Sequence, residues 1–363
     1  MIDISSGGTS IWLDDLSRSK ITGLDSHSLP YRIANNHVVG VTTNPSIFNA
    51  AISQGKEYAS DISAMRESTP EEIVKKLTTD DVRNACDLFL PIYEKSMGVD
   101  GRVSIEVDPR SAHETDATIA EGLELWKLVN RPNVMIKVPA TLEGLPAITA
   151  LIAAGVSVNV TLIFSAPRYG RVAEAFMAGL ESRRSAGHEI SNIASVASLF
   201  VSRVDTAIDS LLKAQDSDVA RSLLGKAAIA NAALAYQIYE AKVASPQWKS
   251  LSQSGAKMQR LLWASTGVKD PAYLDTRYVV ELVAPNTVNT MPQATLDALT
   301  DHGVMHNVAL NARYTEAAQT IAALRDLGIS LDDITRELEI DGVAKFEQSW
   351  NELLANVDKA ARS

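Results

Sequence analysis

The residue that most invites chemistry is Lys137. It stands in Val134-Met135-Ile136-Lys137-Val138-Pro139, the only lysine of the chain flanked on both sides by a strand-like run. An ammonium buried in such a run costs several kcal/mol unless it is paired or gives up its proton. A neutral, desolvated amine is a nucleophile that can form a Schiff base with a carbonyl. A structural ion pair with a carboxylate on a neighbouring strand fits the same spacing. The lysine alone leaves both readings open.

Other polar residues lie in similar runs. Side chains alternate along a strand, so residues two apart share a face. Ser104, Glu106 and Asp108 then share one face, opposite Val103, Ile105 and Val107. Asn159 and Thr161 share a face opposite Val158, Val160 and Leu162. Thr42 pairs with Asn44, Trp12 with Asp14, and Ser198 with Phe200. Each residue also has a plain reading. Asp14 could cap a loop, Glu106 could neutralise Lys137, and Asn44 before Pro45 could be a turn residue. The coincidence of polar types on one face favours chemistry over filling, because a core that only needs volume uses Val, Ile and Leu.

The elements that would position these residues are strands alternating with helices. Strands are expected at 11–14, 40–44, 102–108, 134–140, 157–164, 194–204, 259–266 and 287–291. Between them, apolar residues recur at helical spacing: Val82/Cys86/Phe89/Tyr93, Ile119/Leu123/Trp126, Val172/Ala175/Phe176/Leu180, and a long run Val219/Leu223/Ala230/Leu234/Ile238. Thr69 before Pro70, and Ser330 before Asp333, read as helix caps. Eight strands with helical crossovers predict an α/β fold, a (β/α)8 TIM barrel. One barrel domain over 1–363 is expected, with helical insertions around 206–258 and a helical extension around 293–363 that wraps the barrel or covers its mouth. Strand C-termini are where such barrels build sites.

Composition narrows the function classes. The 363 residues carry 34 Lys and Arg against 44 Asp and Glu, a formal charge of −10. That balance, 6% aromatics and the absence of a basic stripe argue against nucleic-acid binding. One cysteine, Cys86, excludes a disulfide framework and a multi-cysteine zinc site. His27, His37, His113, His188, His302 and His306 form no ligand motif. Neither G-x-G-x-x-G nor a P-loop occurs. The N-terminus has no signal-peptide pattern and no apolar run approaches a membrane span, so a cytoplasmic protein with no membrane partner is expected.

Six motifs in order now support a resemblance over essentially the whole chain. They are Ile11-Trp-Leu-Asp-Asp15, Gly40-Val-Thr-Thr-Asn-Pro-Ser46, Ser104-Ile-Glu-Val-Asp108, Ile136-Lys-Val-Pro-Ala140, Asn159-Val-Thr-Leu-Ile-Phe164 and Ser198-Leu-Phe-Val-Ser-Arg-Val-Asp205. The chain resembles the transaldolases, Schiff-base aldolases of the pentose phosphate pathway. Leu262-Trp-Ala-Ser-Thr-Gly267 and Thr287-Val-Asn-Thr-Met-Pro292 are similar to the longer, monofunctional bacterial branch.

The resemblance implies transfer of a dihydroxyacetone unit from sedoheptulose 7-phosphate to glyceraldehyde 3-phosphate. Lys137 would be the Schiff-base nucleophile. Asp14 would take the C4 hydroxyl proton. Glu106, with Thr161, would position a water that shuttles protons. Asn44 and Asn159 would hold the dihydroxyacetone moiety, with Thr42, Ser198 and Phe200 around them. Arg203 would bind phosphate from a position where the chain has left strand geometry. Many family members carry a second phosphate-binding arginine after an Ala-Ser motif. This chain has Ala264-Ser265-Thr266-Gly267-Val268-Lys269, so Ser265 and Lys269 take that place, and an ammonium cannot match a guanidinium's bidentate grip. No cofactor or metal is implied, because a protonated imine supplies the electron sink. The partners implied are sugar phosphates, in a monomer or a homodimer.

Two other readings make different predictions. A fructose-6-phosphate aldolase-type lyase would release free dihydroxyacetone; such chains are shorter and tend to carry Tyr where Phe200 stands. A catalytically dead barrel would lose nothing on Lys137→Ala.

Overall fold

Eight parallel strands close on themselves in sequence order in a computed structural model that describes residues 4–305 and 309–362. They are β1 (Thr9–Asp14), β2 (Val38–Thr42), β3 (Arg102–Glu106), β4 (Val134–Pro139), β5 (Val158–Ile163), β6 (Ser195–Phe200), β7 (Arg260–Ala264) and β8 (Thr287–Met291). The last pairs with the first, Trp12 opposite Thr290. This is the (β/α)8 barrel with extra helices.

Alternation divides the core in two. Val103, Ile105, Ile136, Val138, Val158 and Val160 point outward into a large apolar layer shared with the helices. Trp12, Met135, Val196, Leu262 and Val288 point inward and fill the barrel. Apolar burial on this scale is the main stabilising term. Thr69 caps the helix Pro70–Lys95 in a capping box with Glu72, accepting from Glu72 N at 3.2 Å. Ser330 accepts from Asp333 N at 3.2 Å.

Four details differ from the sequence expectation. β6 ends at Phe200 rather than Val204, because Val201 N and Ser202 N turn to the carbonyls of Ala264 and Ser265 and a helix, Ser202–Lys213, begins. The run from Val219 to Ile238 is two helices, Asp218–Leu223 and Ala227–Ala244. Asp209 accepts from Gly225 N at 2.9 Å and Asp205 from Ala228 N at 2.7 Å, so carboxylates take the donors at the break. The helix Thr115–Val129 buries Thr118, Gly122, Leu125 and Val129, leaving Leu123 exposed. A Cβ at Gly122 would lie 2.9 Å from Leu151, so close packing at the glycine, not apolar area, sets the buried face.

The fourth is a bulge in β5. Val160 pairs with Ala197 and Ile163 with Leu199, three residues against two. Leu162 occupies the left-handed region at φ 57°. The bulge breaks the alternation, so Leu162 joins Phe164 in the inner cluster instead of the outer one.

Between β6 and β7 lie four helices ending with Pro246–Gln253, and after β8 come Gln293–His302, Tyr314–Asp326 and the 32-residue Leu331–Arg362. The last crosses the mouth at the strand C-termini. Ser349 hydrogen-bonds Ser46 at 2.8 Å, and Glu339 pairs with Arg168 at 3.1 Å. Among the described residues, no helix is long and apolar enough to cross a membrane.

Candidate active site

Lys137 points into the barrel from β4, in register with Glu106 on β3 and Asn159 on β5. Its Nζ donates to Glu106 Oε2 at 3.1 Å and to the Thr43 carbonyl at 2.9 Å. The two side chains are 5% and 3% exposed. Burial, opposed by the lysine's charge, pushes Glu106 up to about 7. Its second oxygen, Oε1, is buried with no hydrogen-bond partner among the described residues. Desolvation costs each buried ion several kcal/mol, and attraction offsets it only when the remaining polar atoms are satisfied. Here they are not, which is the pattern of a working site rather than a stabilising pair.

Above this pair opens a cavity of about 160 Å³. Asp14, Thr42, Asn44, Lys137, Thr161 and Ser198 line its floor and sides. Phe200, Arg203, Ser265 and Lys269 continue the wall. Thr42 Oγ1 donates to Asp14 Oδ1 at 2.6 Å. Burial outweighs Lys137 and this hydrogen bond, so the Asp14 carboxyl is raised above its ordinary value. A carboxyl held above its ordinary value is a better proton acceptor than an ordinary aspartate.

Asn44 lines the cavity and caps the helix Pro45–Gln54, its Oδ1 accepting from Ile47 N at 3.0 Å. The turn reading of Asn44 holds, and the same residue faces the cavity. Thr161 Oγ1 is buried without a hydrogen-bond partner among the described residues. Asn159 lies one layer lower, its amide donating to Ser104 at 2.9 Å and accepting from Ser198 at 2.7 Å. It braces Ser198 rather than reaching the cavity. Asp108 stays outside, paired with Arg110 at 2.6 Å.

Arg203 sits in the first turn of the helix Ser202–Lys213. Its guanidinium lies 5.3 Å from the Phe200 ring centre, and one terminal nitrogen is buried with no hydrogen-bond partner among the described residues. Desolvation lowers its pKa, partly offset by Asp341. Ser265, at φ 53°, ties the loop after β7 to this turn through Ser202 Oγ at 3.0 Å. A guanidinium with a free donor at a helix N-terminus is suited to a phosphate. Lys269 is exposed at the rim.

Among the described residues, no group of three or more His, Cys, Asp or Glu side chains could hold a metal ion. His302 pairs with Asp275 at 2.8 Å, and His306 lies outside the described residues.

The family profile of transaldolase/fructose-6-phosphate aldolase matches residues 11–357. The chain is 55% identical to Transaldolase 1 of Streptomyces avermitilis, over 99% of this chain and 95% of that one. It is 54% identical to a transaldolase of Mycolicibacterium smegmatis over 97% and 94%, and 55% identical to one of Arthrobacter sp. over 99% and 97%. The chain belongs to the transaldolase/fructose-6-phosphate aldolase family.

Three contributors to this family member's site went unread in the sequence. Thr290 lines the cavity and hydrogen-bonds Thr42 at 2.7 Å. Its alternation with Val288 in β8 was a usable signal. Phe346, from the terminal helix, puts its ring centre 5.5 Å from Lys137 Nζ. Only the tertiary path of that helix places it there. The Thr43 carbonyl is a backbone atom and has no side-chain signature.

Proposed function

We propose that this chain, a transaldolase, transfers a dihydroxyacetone unit from sedoheptulose 7-phosphate to glyceraldehyde 3-phosphate through a Schiff base on Lys137. The products are erythrose 4-phosphate and fructose 6-phosphate, as in the non-oxidative pentose phosphate pathway. The observation that carries the mechanism is a buried amine between two raised carboxyls, Glu106 and Asp14, facing a cavity with a guanidinium at its rim.

The neutral amine adds to the C2 carbonyl. Glu106 gives its proton to the carbinolamine hydroxyl, which leaves as water. The unpartnered oxygens of Glu106 and Thr161 suit them to handle that water. Asp14 then takes the C4 hydroxyl proton as the C3–C4 electrons move into the iminium. Erythrose 4-phosphate leaves, and the three-carbon enamine stays on Lys137. The acceptor aldehyde takes the enamine carbon, Asp14 returns the proton, and hydrolysis of the imine frees fructose 6-phosphate. Asn44, Thr42 and Ser198, the last braced by Asn159, hold the dihydroxyacetone hydroxyls. Arg203 holds the phosphate, with Lys269 as a weaker second cation.

The test is acceptor dependence. Erythrose 4-phosphate beyond one equivalent per enzyme is expected from sedoheptulose 7-phosphate only when glyceraldehyde 3-phosphate is present. Release of free dihydroxyacetone without acceptor, at the rate of transfer, would make the protein a lyase instead.

A further inference from the structure

The terminal helix Leu331–Arg362 presents three residues four apart to the site, and such spacing puts them on one face. Gly342 comes first. A Cβ there would meet Leu162 at 3.1 Å and Phe164 at 3.3 Å, so the backbone of the helix is pressed against the β5 bulge. Phe346 follows, buried, with its ring 5.5 Å from Lys137 Nζ. Trp350 lines a small cavity of about 20 Å³ that also touches Glu106, and its Nε1 is buried with no hydrogen-bond partner among the described residues. Val343 and Phe346 are part of the apolar cluster that fills the barrel, although they come from outside it. The Arg168–Glu339 and Ser46–Ser349 contacts hold the helix on both sides of this stripe. The roof over the reactive nitrogen is therefore apolar, supplied by the tail rather than by the strands.

We propose that Phe346 is a specificity-determining residue that keeps this site a transferase, by covering the lysine-bound enamine and withholding water from it until an aldehyde arrives. The inference rests on the Schiff-base reading above. The reaction suppressed is fully defined. Water protonates the enamine carbon to give an iminium. Hydroxide or water then adds at C2, the carbon–nitrogen bond breaks, and free dihydroxyacetone leaves a neutral Lys137. No oxidant or reductant is involved. An aromatic face favours the cationic iminium, and its bulk excludes the water that the side reaction needs.

The experiment compares wild type, Phe346→Ala and Phe346→Leu with fructose 6-phosphate as donor. It measures free dihydroxyacetone released without acceptor and transfer to erythrose 4-phosphate with it. The ratio of release to transfer is expected to rise at least roughly tenfold in the alanine variant and by less in the leucine variant. In heavy water the released dihydroxyacetone should carry one carbon-bound deuterium from enamine protonation. An unchanged ratio, with both activities falling together, overturns the proposal and leaves Phe346 a packing residue. If the alanine variant does not fold, a wild-type ratio in the folded leucine variant overturns it equally. Borohydride trapping on Lys137 is read in parallel. Its absence in wild type would defeat the Schiff-base reading itself, which an unchanged ratio does not.

Discussion

The two ends of the barrel each set a carboxylate beside a cation, and they treat it differently. At the N-terminal end Asp100 faces Arg260 at 3.0 Å. Its Oδ1 also accepts from Trp12 at 3.3 Å and its Oδ2 from Ser10 at 2.8 Å. Arg260 donates further to Ser10 and to the Thr287 carbonyl, each at 2.6 Å. Both partners are bonded through several atoms, and the pair closes the floor. At the C-terminal end Glu106 faces Lys137 at 3.1 Å, but among the described residues its other oxygen is unpaired, as are Thr161 Oγ1 and one nitrogen of Arg203. A satisfied polar network rigidifies, whereas an unsatisfied one stores free energy that a substrate can release. The floor is saturated with partners, and the mouth keeps the open polar atoms that the proposed chemistry needs.

Substitutions can break this contrast or sharpen it. The largest effect is expected from Lys137→Met, which keeps volume and removes the amine. Turnover should fall by at least about 10⁴-fold, as for a lost nucleophile, while circular dichroism stays that of the folded barrel. Loss of the fold instead would make Lys137 a structural residue and erase the contrast.

Glu106→Gln should lower kcat by about 10²-fold or more, the usual worth of a positioned acid or base. Its effect on stability has a definite sign. The folded-state pKa of Glu106, about 7, lies above the ordinary 4.5, so the native protein binds this proton more tightly than the unfolded chain. Stability from Glu106 is fully present below pH 4.5 and is lost as pH rises through 7. Gln does not titrate. The drop in Tm from pH 5 to pH 8 should therefore be smaller in the variant than in wild type. An equal or larger drop would contradict the raised carboxyl.

Arg203→Ala should raise KM for phosphorylated donors by about 10- to 100-fold, the worth of charge-assisted hydrogen bonds. The KM for unphosphorylated glyceraldehyde as acceptor should barely move. Lys269→Ala, at an exposed point charge, should cost under about tenfold by the same assay. Equal losses for both substrates would place Arg203 outside phosphate binding.

The smallest effect on activity is expected at the floor. Asp100→Asn should destabilise the fold by about 2–4 kcal/mol, seen as a lower Tm, because Arg260 loses its charge partner. Turnover of the folded enzyme should stay within about twofold, because distant sites contribute independently. A large fall in kcat would mean that the two ends are coupled.

Much of the mouth was legible in the sequence because polar residues inside β-branched runs are conspicuous, and alternation assigns them to one face. Asp14, Glu106, Lys137, Thr161 and Ser198 were found that way. The resemblance added Arg203, whose helical position alternation cannot read. What stayed hidden depends on backbone geometry or long-range packing. The β5 bulge reverses Leu162 through one left-handed residue with no glycine to announce it. Gly122 sets a helix face by closeness rather than hydrophobicity. Phe346 and Trp350 read as ordinary residues of an amphipathic tail, and only the docking of that tail across the mouth brings them to Lys137 and Glu106. The floor was missed for a related reason: Asp100 lies in a loop, and its link to Arg260 spans 160 residues.

The proposed reaction requires a covalent imine on one amine at the mouth. Borohydride reduction in the presence of fructose 6-phosphate, followed by peptide mass spectrometry, tests it directly. A single reduced adduct of dihydroxyacetone mass is expected on the peptide containing Lys137, absent from Lys137→Met. An adduct on another lysine, or none in active enzyme, would contradict it.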